Sequence, residues 1–538
     1  MLNFDNNVIS CDVLIIGSGI AGLRAALEVS RKGKRALLVS KAPVGKANNT
    51  YLSGGLFTFA ADKTNLDKHI QKTLQSGRRL NDRTLVKKFA EEAPAMVKEL
   101  NQMGVKGTTL ELGLVTRQSA LIGGPKITPP LVKACKDAGV VFLEGIMVTD
   151  LILDDHSCCG AIGFHKRTGN IFGFRSFAVL LATGGAGAIY AQNDNAPGIT
   201  GDGYALALDA GLELVDMEFV QFYPMVRAKG GQARMIIPAV LADLGKITNK
   251  FGEDLKEKHN LREKPIALAS RDRFARALFR EISQGNGIHG GIQLDLQGVK
   301  ESEIPFNKKA KDALKRNLFY DKKPIRIAPS CHHTMGGLAI DETGSTTMAG
   351  LFAAGEVVGA IHGANRMGGN ALSESLVFGV LAARSACEYA DSKCLSNQFH
   401  TLAEKTLHNS LLCRPYCSRP KPSATPALMS KVKQILWHKT GIIRNEPSLR
   451  EAVRRMDEIL TELEDLRAKT PQDLCKLLEC RNAALTGRAI TVAALERTES
   501  RGSHFREDFP EENENWIKHI HVKKTEGVPQ VARTSLVV

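Results

Sequence analysis

The chain has 538 residues, of which 43% are hydrophobic and 24% are charged. This length exceeds one compact core and the composition is that of a globular protein, which excludes a largely disordered chain and predicts two or three domains. The formal net charge of +15 would suit an acidic protein partner, an anionic substrate or nucleic acid, or a solvated basic surface; no recognisable nucleic-acid module is present, so we expect no nucleic-acid partner.

The cellular compartment is predicted from what the sequence lacks. Residues 1–10 have neither the basic nor the apolar region of a secretory signal, and no segment has the roughly 18 to 20 apolar residues that span a bilayer. Eleven cysteines are an odd number and too sparse for a disulfide scaffold. We expect a cytoplasmic protein without direct membrane insertion, which would reach a membrane only through another subunit. The cysteine pairs Cys413 and Cys417 (CxxxC) and Cys475 and Cys480 (CxxxxC) lack a strong zinc or iron–sulfur spacing, so no metal site is expected.

The first predicted elements are a strand at 11–16, a helix at 23–31 and a second strand at 35–40, with the sequence GSGIAG at 17–22 between the first two. A glycine turn between a strand and a helix, followed closely by a second strand, is the context that the dinucleotide-binding fingerprint requires. The first glycine permits the tight turn, the second lets backbone approach a pyrophosphate, and the third lets the helix pack on the strand. The predicted binding residues of this turn are Gly17, Gly19, Ile20, Ala21 and Gly22.

Two later segments repeat the pattern of an apolar strand that meets a glycine turn. They are LLATGG at 180–185 and GLFAAGE at 350–356. Such turns let the chain pass close to a cofactor. Three turns spread this far apart predict one nucleotide-binding domain that is interrupted by an insertion. The second strand of the first unit ends in Ser40-Lys41, where an acidic residue would usually hold the adenosine ribose.

The predicted domain borders follow from this interruption. The nucleotide-binding domain comprises 1–225 and 331–400, the insertion 226–330 and a C-terminal helical domain 401–538.

Within the C-terminal domain, apolar residues recur at spacings of three and four in 449–466, and 473–495 has a similar pattern, so both are predicted helices. The prolines of Arg419-Pro420-Lys421-Pro422 predict a linker, because paired prolines disfavour helix. Residues from about His521 onward are predicted to be a tail.

Several stretches together resemble the succinate dehydrogenase, fumarate reductase and L-aspartate oxidase flavoproteins. They lie in order between residues 17 and 510, so the resemblance covers nearly the whole chain. The resemblance implies an α/β fold, with a Rossmann-like FAD-binding domain, an inserted α+β capping domain and a C-terminal helical domain. The stretches are GSGIAG, LVSKAPV with YLSGG, ATGG, DMEFVQFYP, ASRDRFARA, CHHTMGG, GLFAAGE, HGANRMGGNALSESLVFG and ESRGSHFREDFP.

The resemblance implies FAD rather than NAD as the cofactor, and Ser-Lys is common in this family at the end of the second strand. Glu356 would bind the ribityl chain, with an ordinary exposed acid as the alternative. Residues 370–373 would begin a helix whose N-terminus faces the pyrimidine end of the flavin, where its dipole would stabilise the anionic reduced form. The implied binding residues outside the first turn are Ser40, Lys41, Ser53, Gly54, Gly55, Ala182, Thr183, Gly184, Asp202, Glu356, Asn370, Leu372 and Ser373.

The attachment of FAD is predicted to be noncovalent. Complex II-type members attach FAD through a His six residues before the first glycine of a Gly-Gly pair. Counting back from Gly54-Gly55 gives Asn48, whose amide cannot form that bond. In this respect the chain resembles L-aspartate oxidase or the soluble fumarate reductases.

Three residues match the catalytic positions of the family: Arg271 in SRD, His332 in CHHTMGG and Arg366 in GANRM. In the family, a hydride passes between a substrate carbon and flavin N5 while an Arg moves the proton on the neighbouring carbon. By resemblance, Arg271 is this proton shuttle, with an anion clamp as its alternative, and His332 and Arg366 hold and polarise a carboxylate. Structural ion pairs for the arginines and a satisfied core position for His332 are the other interpretations. The adjacent His333 is expected to point elsewhere.

Substrate-binding positions depart from the family pattern. The dicarboxylate enzymes have His in the position of Tyr223, Thr in the position of Met225, and a Thr-Glu pair where this chain has Ile237-Pro238-Ala239. Each lost polar contact to a charged group is worth about 1.5 to 3 kcal/mol. We therefore expect fumarate, succinate and aspartate to bind poorly.

The function predicted from the sequence is an FAD-dependent oxidoreductase that acts on a small anionic, carboxylate-type substrate and exchanges electrons with an iron–sulfur subunit. One alternative is a self-sufficient enzyme like L-aspartate oxidase. The other is an electron-transfer or assembly component that keeps FAD and has lost small-molecule catalysis.

Overall fold

The computed structural model of the chain describes residues 7–116, 123–155, 157–229, 232–393, 398–413 and 424–537. The predicted linker at 419–422 and Cys417 lie outside the described residues, whereas Cys475 and Cys480 are buried in one C-terminal helix. In the described part of the chain, no helix is long and apolar enough to cross a membrane.

The described strands and helices alternate through most of the chain, with helices predominating after residue 399. The strands are β1 (Val8–Ser10), β2 (Val13–Ile16), β3 (Ala36–Ser40), β4 (Leu56–Phe57), β5 (Thr108–Leu110), β6 (Gly113–Val115), β7 (Val141–Glu144), β8 (Ile146–Asp154), β9 (Ser157–His165), β10 (Ile171–Arg175), β11 (Ala178–Leu181), β12 (Leu214–Val215), β13 (Val220–Lys229), β14 (Gln232–Ile236), β15 (Lys246–Thr248), β16 (Ile292–Asp295), β17 (Ile325–Thr334), β18 (Gly337–Leu338), β19 (Leu351–Ala353), β20 (Lys518–Thr525) and β21 (Val528–Leu536). The helices are α1 (Ile20–Arg31), α2 (Asn49–Leu52), α3 (Leu66–Ser76), α4 (Arg83–Gln102), α5 (Thr128–Asp137), α6 (Asp202–Asp209), α7 (Leu241–Leu244), α8 (Leu255–Lys258), α9 (Ile266–Ala269), α10 (Arg271–Ser283), α11 (Lys308–Leu318), α12 (Asn370–Asp391), α13 (Phe399–Asn409), α14 (Ala424–Lys439), α15 (Glu446–Asp465) and α16 (Pro471–Glu496).

The central sheet is parallel throughout and has the strand order β19-β11-β2-β3-β7. Strands β2, β3 and β11 are continuous apolar or nearly apolar runs and are buried along their whole length, as expected for a sheet covered on both faces. Helices α1 and α12 pack against each other beside it. The predicted α/β class is therefore confirmed. Because all five strands run the same way, the turns that follow β2, β11 and β19 meet at one edge of the sheet.

The first helix begins earlier than predicted, at residue 20 rather than at residue 23. Gly19 has extended backbone and precedes the first helical residue, Ile20. Gly22 is thus inside α1, where a Cβ atom would lie 2.0 Å from the carbonyl oxygen of Gly17. The close contact between turn and helix requires a residue without a side chain at this point.

The inserted segment has a hydrophobic core of its own. It contains an antiparallel sheet with the strand order β14-β13-β17-β16-β15 and the helices α7 to α11. The buried hydrophobic residues of the sheet and helices form a cluster distinct from the main core. The predicted borders at 225/226 and 330/331 fall inside β13 and β17, two paired strands that run from the cap into the FAD-binding part. The domain borders themselves stay a prediction.

The C-terminal region combines helices α14, α15 and α16 with a β-hairpin. The tail predicted from His521 onward is wrong, because β20 and β21 pair with each other and β20 also pairs with β12. Strand β20 has lysines at both ends, a pattern typical of a solvent-exposed segment. Ile520 and Val522, which lie between these lysines, are nevertheless fully buried, with 0% exposure. The backbone N–H of Ile520 and the ring of His519 also contact the buried Asp216 carboxylate.

Candidate active site

A large cavity lies at the carboxyl edge of the central sheet and continues beneath the cap. Its walls come from the turns after β2, β3, β11 and β19, the start of α12 and the cap residues beside β13, β14 and α10. All three predicted catalytic residues, Arg271, His332 and Arg366, line it. The predicted cofactor residues that line it are Gly17, Gly19, Ile20, Ala21, Ser40, Lys41, Ser53, Gly54, Gly55, Ala182, Thr183, Gly184, Asp202, Glu356 and Leu372.

The turn after β2 can only be built with glycine. Gly17 has a φ of +115°, and a Cβ atom there would lie 2.2 Å from the carbonyl oxygen of Ala182. Gly19 precedes α1 without a side-chain cap of its own, although the N–H of Ile20 donates to the Thr50 hydroxyl at 3.1 Å. This helix start lies at the cavity edge, and the free N–H groups of a helix start suit a pyrophosphate. These residues therefore fit a bound dinucleotide.

The end of β3 joins the cavity to a half-buried charge network. The Ser40 hydroxyl lies 2.9 Å from that of Ser18. The Lys41 ammonium contacts Asp202 at 2.6 Å and Glu479 at 2.7 Å. Burial lowers the pKa of Lys41, but the two carboxylates outweigh this and raise it above its usual value. Lys41 is thus a fixed cation at the cavity wall.

Glu356 is the acidic residue of the third glycine turn, and it faces the cavity. Its carboxylate accepts hydrogen bonds from the backbone N–H of Thr334 at 3.1 Å and the side-chain amide of Asn49 at 3.1 Å. A Cβ atom on Gly185 would lie 2.3 Å from this carboxylate, so the second glycine turn must pass directly beside it. Burial raises the pKa of Glu356. These contacts exclude the alternative of an ordinary exposed acid.

Helix α12 begins at the cavity with Gly369 before it, at a φ of +87° and without a side-chain cap. Leu372 lines the cavity, but three of the predicted binding residues do not. Gly22 packs in α1, the Asn370 side chain contacts His69 and Thr73, and Ser373 is fully buried. The structure therefore brings the helix start to the cavity through its backbone rather than through the side chains of Asn370 and Ser373.

The two arginines come together from distant parts of the chain. Arg271 is the first residue of α10, and its Nη1 donates to the backbone oxygen of Arg366 at 3.3 Å. Arg366 donates to the side-chain oxygen of Gln221 at 3.0 Å. Both arginines are buried, and among the described residues neither forms an ion pair with a carboxylate and neither Nε has a hydrogen-bond partner. The structural ion pair considered for each Arg from sequence is therefore absent from the described part of the chain.

Electrostatics at this point favour an anion. Burial and then the charge of Arg271 lower the pKa of Arg366 to about 9, and burial also lowers the pKa of Arg271. Buried cations of this kind are stabilised when an anion binds between them. His332 Nδ1 lies 2.8 Å from a carboxylate oxygen of Asp194, which fixes the orientation of the imidazole ring beside the arginines.

Strand β17 brings two neighbouring histidines into the cavity, so the prediction that His333 points elsewhere is wrong. Gln221 pairs with His333 and the next residue, Phe222, pairs with Cys331, which leaves His332 as the extra residue of a β-bulge. A bulge breaks the alternation of side chains along a strand. His333 is buried against His362, and burial holds the pKa of His333 well below the usual value. His333 therefore contributes an uncharged imidazole ring to the wall of the site.

The cap contributes an apolar wall. Tyr223, Pro238 and Ala239 line the cavity as predicted from their positions, but Met225 does not. It is fully buried in the core of the cap, because a second irregularity in β13 between Tyr223 and Val226 turns the intervening residues out of register. The predicted loss of a polar contact at this residue is therefore wrong, since its side chain does not reach the site.

Some site residues were not predicted from the sequence. Asn49 and Asn195 link the Glu356 carboxylate to the loop that carries Asp194, with Asn49 Nδ2 2.6 Å from Asn195 Oδ1. These side chains come from positions 146 or more residues apart, and only the short NDN sequence at 193–195 hints at a polar cluster. Asn48 also lines the cavity, where its Oδ1 accepts from the N–H of Tyr51 and caps α2. Among the described residues, no group of three or more His, Cys, Asp or Glu could hold a metal ion.

Comparison with known proteins gives the family. The FAD binding domain family matches residues 12–372, and the fumarate reductase flavoprotein C-terminal family matches residues 429–537. One subunit of the fumarate reductase (CoM/CoB) of Methanothermobacter marburgensis is 34% identical over 96% of this chain and 97% of its own. L-aspartate oxidase of Streptomyces coelicolor is 30% identical over 96% of this chain and 92% of its own.

Among solved structures, a mutant form of the quinol fumarate reductase protein FrdA of E. coli superimposes with a TM-score of 0.89. It is 25% identical, and the match covers 99% of this chain and 97% of that one. The parallel sheet, the antiparallel cap and the C-terminal helical region thus occur in one arrangement in both. The chain belongs to the succinate dehydrogenase, fumarate reductase and L-aspartate oxidase flavoprotein family and is an FAD-dependent oxidoreductase.

Proposed function

We propose that this chain is the catalytic flavoprotein of a fumarate reductase-type enzyme, acting on a carboxylate-type substrate and exchanging electrons with an iron–sulfur partner. The observation that carries the proposal is the pair of buried arginines, Arg271 and Arg366. They line the same cavity as the glycine turns, and neither has a carboxylate partner among the described residues. Buried cations without an anion are costly, and a substrate carboxylate would supply the missing charge.

Each residue has a separate role in this proposal. FAD, when bound, supplies the hydride donor or acceptor. Arg366 and His332 hold one carboxylate, Arg366 through its planar fork and His332 through the ring that Asp194 orients at 2.8 Å. Arg271 moves a proton at the neighbouring substrate carbon, which its burial assists because burial lowers the pKa of its guanidinium.

We propose that the first glycine turn, Lys41 and Glu356 bind FAD noncovalently. Asn48 stands where complex II-type members carry the attachment His, and its side chain is already engaged: Nδ2 donates to the Ser18 backbone oxygen at 3.2 Å and Oδ1 caps α2. Acid precipitation tests this, because noncovalent FAD leaves the pellet and colours the supernatant. Yellow colour that stays with the pellet would contradict it.

The electron partner is proposed from the relatives. The Methanothermobacter marburgensis relative is by name one subunit of a fumarate reductase, and an iron–sulfur partner would give this chain a route for electrons in a comparable assembly. Co-purification of the tagged chain from its native host, followed by iron analysis of the bound proteins, tests the partner. The L-aspartate oxidase-like alternative predicts instead that the chain alone is reoxidised rapidly by oxygen.

The catalytic role is tested by anaerobic mixing of the holoprotein with a panel of acids that includes succinate, fumarate, L-aspartate and monocarboxylates. Flavin absorbance is followed from the oxidised and the pre-reduced protein. We expect at least one acid to change the redox state of the flavin, and Arg366→Gln to slow this change about 10²-fold or more while flavin is retained.

The matched control is Arg273→Gln in the same helix, α10. Arg273 donates to the backbone oxygen of Asn260 and does not line the cavity, so the rate should stay within about twofold. If no acid reacts in the wild-type protein, or if Arg366→Gln reacts at the wild-type rate, the chain is a flavin electron-transfer or assembly component instead.

A further inference from the structure

The cap supplies apolar side chains to the part of the cavity beside the arginines. Of the described residues between β13 and α10, those that line the cavity are Tyr223, Ile236, Pro238, Ala239, Leu268 and Arg271. Arg271 is thus the single charged side chain in this set. Leu268 is 46% exposed although it is apolar, so the cavity keeps an apolar surface towards solvent.

Tyr223 adds to this wall through its ring. Its hydroxyl group donates a hydrogen bond to the backbone oxygen of Ile237 at 2.9 Å, within the cap. The ring lies 5.5 Å from that of His332, next to the residues that would hold a carboxylate. The wall therefore begins directly beside the anion-binding residues.

The cations of the site are concentrated at one place. The Arg271 guanidinium donates to the backbone oxygen of Arg366, so the two charged side chains are neighbours rather than opposite ends of the cavity. Their proximity also contributes to the lowered pKa of Arg366, after burial. A cluster of this kind offers one position for an anionic group, which Arg366 holds with Arg271 beside it.

We propose that the substrate is a monocarboxylate with an apolar body, whose carboxylate binds Arg366 and His332 beside Arg271 and whose hydrocarbon part packs on Tyr223, Ile236 and Ala239. This inference rests on the proposed function. A second carboxylate at the far end of the substrate would lose its water against side chains that offer it no donor, and an unpaired buried charge is unfavourable. An alkyl group there is instead favoured by the area it removes from water.

The test compares two acids of similar shape, fumarate and trans-4-methylpent-2-enoate, in which an isopropyl group replaces one carboxylate. Both are titrated calorimetrically into the oxidised holoprotein. No electrons are available to reduce either acid, so the measurement reports binding alone. We expect the dissociation constant of the isopropyl acid to be at least tenfold lower than that of fumarate.

Variants of Ala239 localise the preference to the wall. Ala239→Lys places a cation there and should shift the ratio of the two dissociation constants at least tenfold towards fumarate. Ala239→Val keeps the wall apolar and serves as the matched control, with the preference for the isopropyl acid retained. Arg366→Gln should weaken the binding of both acids at least tenfold, because it removes their shared carboxylate contact.

The outcomes separate the two proposals. Fumarate binding as tight as or tighter than the isopropyl acid, and weakened by Arg366→Gln, overturns the monocarboxylate inference and supports the proposed function. An Arg366→Gln variant that binds both acids like the wild type overturns the proposed function and the inference with it. A wild-type protein that binds neither acid overturns the monocarboxylate inference, and the acid panel then decides the proposed function.

Discussion

Glycine turns and paired charges form the sheet side of the cavity, whereas side chains from a separate core form its cap side. On the sheet side, backbone approaches backbone so closely that a Cβ on Gly17 would lie 2.2 Å from a carbonyl oxygen. On the cap side, Tyr223 and Ala239 are held by the packing of the inserted sheet and its helices. The difference implies that cofactor binding tolerates little change, while substrate preference can change through side chains without a change of fold.

The largest effect is expected from a substitution that disrupts the sheet side of the cavity. In Gly17→Ala, the methyl group meets the Ala182 carbonyl and the backbone must hold a φ of +115°. We expect a loss of about 3 to 5 kcal/mol in the free energy of unfolding and a clear loss of bound flavin. Thermal unfolding and the ratio of flavin to protein absorbance measure the two effects.

Gly33→Ala, at the other end of α1, is the matched control. Gly33 also has a positive φ, of +74°, but a Cβ there would meet no atom within 4 Å. Only the backbone strain of about 1 to 2 kcal/mol remains, and flavin content should be unchanged. Equal losses in the two variants would show that strain, not the contact with Ala182, limits the turn.

The intermediate effect concerns the core of the cap and depends on pH. Burial raises the pKa of Glu281, but hydrogen bonds from Asn249 and Lys258 outweigh this and hold it at about 2. A carboxyl group whose folded pKa lies below its unfolded value of 4.5 contributes stability that is complete above pH 4.5 and is lost as the pH falls towards 2. Glu281→Gln should therefore cost up to about 3 kcal/mol at pH 7 and progressively less below pH 4.5.

Denaturant unfolding at about pH 7, 5 and 3.5 measures this dependence, with Glu342→Gln as the control because Glu342 is exposed. Flavin content at neutral pH should be retained in Glu281→Gln, since the residue belongs to the cap. A destabilisation that is the same at all three pH values would mean that the charge of Glu281 is not what stabilises the cap.

The smallest effect is expected from a substitution on the cap side of the cavity, which tests whether the two sides are independent. Tyr223→Phe removes the hydrogen bond to the Ile237 carbonyl and leaves the ring in place. We expect a loss of about 1 kcal/mol in stability, unchanged flavin content and a dissociation constant for an apolar monocarboxylate within about threefold of the wild type. Loss of flavin in this variant would show that the two sides of the cavity are not independent.

The sheet side was predictable because its requirements are local. A strand, the glycine turn and a helix lie within residues 11–31, so the glycines at 17 and 22, which the close backbone contacts require, could be recognised from the sequence alone. Only part of the charge network around Lys41 could be predicted from the sequence, because Glu479 comes from the C-terminal helix α16, more than 400 residues later.

The errors about which side chains face the cavity have a common physical cause. Strand periodicity predicts that His332 and His333 face opposite ways and that Tyr223 and Met225 face the same way. Irregular register in the β13 and β17 pair reverses both expectations. Such bulges depend on how two strands about 100 residues apart align, which neither strand reveals by itself. The pairing of Asp194 with His332, 138 residues apart, was invisible for the same reason.

The pairing of β12 with β20 has a consequence for how the protein is made. Val215 pairs with His521, so about 300 residues must leave the ribosome before the β12 backbone can find this partner. At about 5 to 20 residues per second, that delay lasts roughly 15 to 60 s. During this interval the β12 edge beside Asp216 lacks the strand that covers it in the folded protein, and the buried Asp216 carboxylate lacks its contacts with His519 and Ile520.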